Sequence, residues 1–214
     1  LYPVLKIVVV DDSSPDGTGE VAELFAESDS NTFVVHRVGQ RGLGGAYRAG
    51  FDIAKKIGSQ YVVTMDVDFS HEPTSLSDLI YEAETSSDVV LGSRFVQGGR
   101  IIGWPIHRNL LSRFGNRYAR AVLRLSQKDC TGGFRAYRIS ALQKINYPTI
   151  KGSGYIIQIS LLRRSVHRGL SVAEIPIIFT DRVEGKSKMS PRIAAESMLL
   201  VTLFGLKDLV KRRR

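Results

Sequence analysis

The chain has 214 residues, 43% of them hydrophobic and 24% charged, which suits one globular domain with a sizeable core and leaves no room for a second full one. The single cysteine, Cys130, excludes an intrachain disulfide framework and fits a reducing compartment, and the four histidines show no metal-ligand spacing. Lys and Arg outnumber Asp and Glu by 30 to 21, a net charge of +9, so an anionic partner is expected: nucleic acid, acidic lipid or a phosphorylated substrate. Much of the charge lies in the last third, ending in Lys211-Arg-Arg-Arg214. It comes without the stacking aromatics or recognisable module of a nucleic-acid binder, so nucleic acid is not expected as the partner.

Hydrophobic periodicity then predicts alternating strands and helices. A strand is expected over 6–10 and, after the turn Ser13-Ser-Pro-Asp-Gly17, a helix over 18–27. A strand over 32–37, a helix over 43–57, a strand over 61–65, a helix over 76–85 and a strand over 88–91 follow. This alternation implies an α/β fold with a largely parallel sheet, and the near-continuous Val/Ile/Leu runs imply strands buried on both faces. A basic helix over 106–125 carries Arg108, Arg113, Arg117, Arg120 and Arg124 and leads into a loop over 129–134. A helix over 154–168, a strand over 171–179 and a final helix over 193–210 complete the series. The longest apolar stretch of that last helix, 198–206, falls far short of the roughly 20 residues that span a bilayer. It reads either as an amphipathic element for a membrane surface, anchored by the terminal basic cluster, or as an ordinary helix packed on the domain or a linker into a membrane segment.

The most informative local feature is Asp66-Val-Asp68, closing the strand over 61–65. Side chains two apart in a strand leave on one face, so both carboxylates can converge on one hard cation, just past the carboxyl end of a strand where open α/β sheets bind ligands. The pair reads as a divalent-metal site for a nucleotide diphosphate; Asp-x-Asp also arises as a cap or a turn. In Asp11-Asp12, at the end of the first strand, a carboxylate can accept paired hydrogen bonds from a guanine edge, and the residues after it are turn formers. Cys130 reads as a small, half-buried residue rather than a nucleophile.

Val8-Val-Val-Asp-Asp-Ser-Ser-Pro-Asp-Gly-Thr18, Asp66-Val-Asp68-Phe-Ser-His71, Gly92-Ser-Arg94, Thr131-Gly-Gly-Phe-Arg135 and Asp181-Arg-Val-Glu-Gly-Lys-Ser-Lys188 stand in one order. This series resembles the dolichol-phosphate (polyprenol-phosphate) mannose synthases, inverting glycosyltransferases of family 2 with a GT-A fold, over about residues 6–188. The resemblance implies a mixed, mostly parallel sheet flanked by helices, a catalytic domain over 1–190 and the amphipathic basic helix over 191–214. It implies transfer of mannose from GDP-mannose to a dolichyl or polyprenyl phosphate, at the cytoplasmic face of a membrane to which the protein is peripheral. It leaves open a membrane-embedded subunit or domain as a further partner.

Residue by residue, the resemblance assigns Val10, Asp12, Asp66, Val67, Asp68, Arg94, Arg182 and Lys188 to the nucleotide sugar. Asp66 and Asp68 are implied to hold Mg2+ or Mn2+, and Asp68, Arg182 and Lys188 to act on the departing diphosphate. Arg94, Arg108 and Ser112 match positions used for the acceptor phosphate, for which guanidinium forks are suited. Arg113, Arg117, Arg120 and Arg124 have no such match and read as a solvated or lipid-facing stripe. Ser70 stands where some family members carry a glutamine ligand, Gly132 where they carry serine, and Ser160, near Gln158, where an acidic residue is usual; His71 is expected to serve structurally and Asp129 to orient an arginine. The family's opening strand, ending in Pro-x-Tyr-Asn-Glu, has no counterpart in the 214 residues; if that stretch is truly absent, one sheet strand and part of the donor pocket are expected to be lost. A UDP-glucose-dependent glucosyltransferase is the alternative within the class; a basic nucleic-acid-binding domain or an inactive interaction module are alternatives outside it.

Overall fold

The computed structural model describes residues 5–39, 42–150, 154, 156–182 and 191–212. β1 (Ile7–Asp11), α1 (Thr18–Ser28) and β2 (Thr32–His36) form a parallel unit in which Val9 faces Val34 and Asp11 faces His36. α2 (Leu43–Lys56) follows and packs on β1 as well as on β3 (Tyr61–Thr64), and then come α3 (Leu76–Thr85) and β4 (Val89–Ser93). β5 (Arg100–Ile102), α4 (Ile106–Leu123), β6 (Arg135–Arg138), α5 (Ile139–Lys144) and α6 (Ile156–His167) precede β7 (Val172–Pro176), β8 (Ile178–Thr180) and α7 (Pro191–Arg212).

The central sheet has the order β3-β6-β4-β7, with β4 and β7 parallel and β6 antiparallel to both neighbours; β1-β2 and β5-β8 are separate parallel pairs. The α/β expectation holds, as a mixed sheet. Burial on both faces holds for β4, all five residues of which are buried, and for residues 135–137 of β6; β1, β2 and β3 are half-exposed over much of their length. Among the described residues β1 pairs along one edge only, which leaves its valines partly open despite their β propensity.

Three elements escape the periodicity reading. β6 is bounded by Arg135 and Arg138, charged residues that argue against an inner strand. Arg135 is nonetheless fully buried, because its guanidinium donates at 2.8 Å to each of the carbonyls of Gly132, Gln158 and Cys130. β5 and α5 are three and six residues long, too short for a period to register. The strand expected over 171–179 is instead two strands in different sheets: β7 ends at Pro176, and Ile177 then bonds through its N–H to the Ser93 carbonyl and through its carbonyl to Arg100 N–H.

The main core lies between the central sheet and α2, α4, α5, α6 and α7. Phe51 meets Tyr137 and Tyr147 edge to face, with Leu142, Ile157 and Leu162 fully buried around them. α7 contributes Val201 to this core. It is tied to α4 by a Tyr118–Thr202 hydroxyl hydrogen bond of 2.6 Å and to α6 by an Arg163–Asp208 ion pair. Gly205 lets the two helices approach, since a Cβ there would stand 2.6 Å from Val122 Cγ1. The opposite face of α7 is open, with Leu199, Leu203, Leu206 and Val210 all exposed.

Replacing Arg135 by methionine fills similar space and leaves the three carbonyls without their donors. The expected cost is about 3 kcal/mol or more, read as a lower denaturant midpoint at unchanged slope; an unchanged midpoint would show that this residue does not hold the 129–134 loop.

Candidate active site

Asp66 and Asp68 leave the end of β3 as the sequence suggests. The Asp66 backbone N–H donates to Nδ1 of His71 at 3.2 Å, and that ring is buried, stacked on Phe134 and edge-on to Phe179. Asp68 is fixed by its own turn: Ser70 donates its N–H at 3.1 Å, and its hydroxyl as well, to Asp68 Oδ1, while Phe69 takes a left-handed φ of 59° with its ring in solvent. Ser70 is buried with its hydroxyl engaged there, a positioning contact for Asp68.

The two carboxylates differ electrostatically. Asp66 is open to solvent on one side but enclosed by protein on its others, and the desolvation raises its carboxyl above the ordinary range, with Asp68 adding to the rise. Partial burial also pushes Asp68 up, but the Ser70 hydrogen bonds and the charge of Arg182 outweigh it and hold it below the ordinary value. Arg182 Nη2 lies 3.6 Å from Asp68 Oδ2.

One cleft is lined by Asp66, Arg94, Arg108, Ser112 and Arg182 together, with His71, Trp104, Thr131, Gly132 and Gly133 between them. The same cleft also carries apolar lining, from Leu111, Phe114 and Tyr118 of α4, Ile159 of α6, and Met198 and Val201 of α7. Arg94 is buried with its fork on Asp129, Nε to Oδ2 at 2.7 Å and Nη2 to Oδ1 at 2.8 Å, and Nη2 also donates to Thr131 Oγ1 at 3.0 Å. The rings of Phe95, Trp104 and Phe179 surround the guanidinium at 5.3–5.4 Å. Burial alone would raise the Asp129 carboxyl, but the charge and hydrogen bonds of Arg94 hold it below the usual value, so it stays ionised.

Arg108 stacks on Trp104 at 4.1 Å and donates to Asp181 Oδ1 at 2.8 Å. Asp181 also accepts from the Arg182 backbone N–H at 3.2 Å. Arg108 and Arg182 thus line the cleft while each meets a carboxylate outside that lining, Asp181 and Asp68 respectively.

Val10, Asp12 and Val67 do not line this cleft. Val10 sits within β1 beside Gly50 of α2, and the Val67 side chain is in solvent. Asp12 accepts from Arg37 and, at 2.7 Å, from the Gly42 N–H just ahead of α2. Arg37 lies so close over α2 that a Cβ on Gly45 would stand 2.1 Å from its Nη2. Lys188 falls outside the described residues. Gln158 is buried on α6, donating to the Tyr47 hydroxyl at 2.7 Å and lending its carbonyl to Arg135. Cys130 is buried and its thiol is pushed up to about 12 by desolvation, which leaves it inert.

Sequence reasoning missed Trp104, Asn116 and Asp181. Trp104 Nε1 is buried with no hydrogen-bond partner among the described residues, a donor at the wall of the cleft; being the chain's one tryptophan was its only signal. Asn116 hides on the buried face of α4, where it accepts from Cys130 N–H at 2.7 Å and donates to Thr131 Oγ1 at 3.1 Å.

Residues 1–146 match the family described as Glycosyl transferase family 2. A polyprenol monophosphomannose synthase of Mycolicibacterium smegmatis is 42% identical over 213 residues, covering 99% of this chain and 80% of the relative. An undecaprenyl-phosphate mannosyltransferase of Micrococcus luteus is 42% identical over 204 residues, covering 95% of this chain and 84% of the relative. Among solved structures, glucosyl-3-phosphoglycerate synthase of Mycobacterium tuberculosis with phosphoglyceric acid superposes at a TM-score of 0.62, with 17% identity, over 92% of this chain and 69% of that one. The same enzyme with Mn2+, UDP-glucose and phosphoglyceric acid superposes at 0.61, with 18% identity, over 92% and 67%. These structural likenesses carry the fold, which is GT-A-like, and the sequence matches carry the family: this chain belongs to glycosyl transferase family 2 and is a glycosyltransferase.

Proposed function

We propose that this chain transfers mannose from GDP-mannose to a polyprenyl or dolichyl monophosphate with inversion at the anomeric carbon. The observation that carries the reading is the single cleft whose lining combines Asp66, Arg108, Ser112 and Arg182 with Leu111, Phe114, Met198 and Val201. A lipid phosphate needs both kinds of lining at once. The names of the two 42% identical relatives point the same way.

A phosphate monoester has a second pKa near 6, so at neutral pH the acceptor is already largely a dianion and attacks without a general base. Its oxygen forms the new bond to the sugar's anomeric carbon as the bond to the nucleotide diphosphate breaks, and the electron pair leaves with GDP. Arg108 and Ser112 orient the acceptor phosphate, with Arg94 adding positive field from its place on Asp129. Arg182, and Lys188 as the family resemblance implies, take up charge on the departing diphosphate. Val10, Asp12 and Val67 are assigned to the nucleotide by the same resemblance, with Arg37 holding the Asp12 carboxylate.

Asp66 and Asp68 fit a divalent cation of the Mg2+ or Mn2+ kind. They offer two hard oxygen donors, and no group of three or more His, Cys, Asp or Glu suited to a metal occurs among the described residues; such a donor set is usual where substrate phosphates complete the shell. When bound there, the cation supplies Lewis-acid stabilisation to the leaving diphosphate. No helix among the described residues is long and apolar enough to cross a membrane. The open apolar face of α7 supports peripheral attachment, and the cytoplasmic face is where the reading places it.

The decisive assay is transfer of labelled mannose from GDP-mannose into a polyprenyl phosphate with Mg2+ or Mn2+, with UDP-glucose in parallel; label from UDP-glucose alone would overturn the donor. Asp68→Ala should cost roughly 100-fold or more in GDP affinity measured with Mn2+, several kcal/mol, and little without metal; an unchanged Mn2+-dependent affinity removes Asp68 from the metal site. Arg108→Ala should raise the KM for acceptor about tenfold or more, the loss of a charge-assisted hydrogen bond, while GDP affinity stays as in the natural chain. An unaltered acceptor KM would take Arg108 out of the acceptor site.

A further inference from the structure

Arg94 and Arg108 both line the cleft and both meet an aspartate, in different ways. Arg94 gives Asp129 two side-chain donors, and that pair is buried, its side chains 6% and 0% exposed. Arg108 gives Asp181 one donor, Nη1, at 2.8 Å, and these side chains are 21% and 28% exposed. A guanidinium fork joined through one donor to a partly exposed carboxylate is held weakly, because water screens the pair and competes for it.

The two partners also differ in their freedom to move. Asp181 directly follows β8, and its backbone N–H donates to the Ile102 carbonyl of β5 at 2.8 Å, which fixes its place. Gly103, at a φ of 86°, keeps the adjoining turn bare, since a Cβ there would stand 3.1 Å from Asp181 Cβ. Asp181 Oδ1 accepts from the Arg182 N–H as well, at 3.2 Å. Arg108, by contrast, reaches the carboxylate at the end of a long side chain, with its guanidinium 4.1 Å from the centre of the Trp104 ring. That ring is set edge to face against Phe179 at 5.4 Å. A ring face attracts a cation without fixing the direction of its N–H groups, so Arg108 can turn from Asp181 and keep Trp104.

From this we infer that Asp181 is a positioning residue that occupies Arg108 in place of the acceptor phosphate and yields it when the phosphate enters. The two anions exchange on one guanidinium, which Trp104 retains throughout. A phosphate monoester carries about −1.5 to −2 charge at neutral pH, and its oxygens match the fork bidentately, so it displaces a carboxylate held through one donor. Arg108 and Ser112 line the cleft and Asp181 does not, so the exchange turns the guanidinium toward the cleft. An internal competitor lowers the affinity of every anion at Arg108 by the same factor. Weakly binding anions are thereby kept off, and the product, a phosphodiester with a single negative charge, is released as Asp181 takes Arg108 back. The inference rests on the acceptor-phosphate reading of Arg108 given above.

The test is binding of geranyl phosphate, a water-soluble two-isoprene monoester, to the natural chain and its variants without donor. It is read by calorimetry and by the emission of Trp104, the chain's one tryptophan. Asp181→Asn keeps an acceptor for the Arg182 N–H and removes the charge, and it should bind geranyl phosphate about fivefold tighter, the scale of a partly exposed ion pair. A residue serving the fold alone would give no gain on replacement. Inorganic phosphate, and geranyl methyl phosphate in the place of the product, should gain by the same factor from weaker starting points. In an Arg108→Ala background the gain should vanish, which separates exchange at Arg108 from a general rise in positive field. Asp181→Ala should repeat the gain, and an unchanged melting temperature verifies the folding of each variant. Equal or weaker binding in both Asp181 variants overturns the inference, as does a gain that persists without Arg108. If Arg108→Ala binds geranyl phosphate as the natural chain does, the acceptor reading of Arg108 falls and the inference with it. Weakened binding in Arg108→Ala with no gain in the Asp181 variants overturns the inference alone.

Discussion

The polar lining of the cleft hangs on one buried ion pair, Arg94 with Asp129. A carboxylate without solvent would take up a proton or disrupt the fold, and Asp129 does neither because Arg94 meets it with two side-chain donors and its own backbone N–H, while Gly132 N–H adds another at 3.0 Å. The backbone of the same loop is held from outside by Glu174 of β7, which accepts from Lys128 and Asp129 N–H at 2.7 and 2.9 Å, and from inside by Asn116. The pair therefore joins the end of β4 to the loop before β6, and that loop brings Gly133 to within contact of Asp66, since a Cβ there would lie 3.7 Å from both carboxylate oxygens. The glycines leave room at the position where the cleft meets the carboxylates.

Around this fixed floor the remaining charges are arranged in opposite-sign neighbours. Arg108 faces Asp181, and Arg182 faces Asp68, so neither guanidinium is committed to a buried partner as Arg94 is. That difference gives the arginines different parts: one shapes the wall, and two stand half-exposed at distances from which an anionic ligand can compete. The aromatic wall of Trp104 and Phe179, packed edge to face, keeps these groups in a partly desolvated setting where such competition is stronger than in water.

Much of the fold was legible because its signals are local. The α3 boundaries match the periodicity, and β1, β2, α1 and α2 deviate by a residue or so, since a helix or strand between turn formers announces itself through spacing. The 171–179 run misled because β-branched residues continue past Pro176, while the pairing partner changes there from β4 to β5. β6 was invisible for a different reason: Arg135 looks like a surface residue, and only the three carbonyls that converge on it make it an interior one.

By itself, the sequence determined the α/β class, the order of the motifs and the placing of Asp66 and Asp68 at a strand end, because strand alternation and turn chemistry act over a few residues. It also limited the partner to something anionic. Tertiary structure alone decided which arginine Asp129 holds, Arg94, 35 residues away, that Arg108 pairs with Asp181 across 73 residues, and that α4 and α7 both line one cleft. Those outcomes depend on which surfaces meet when distant elements pack, and no local period or charge count records that.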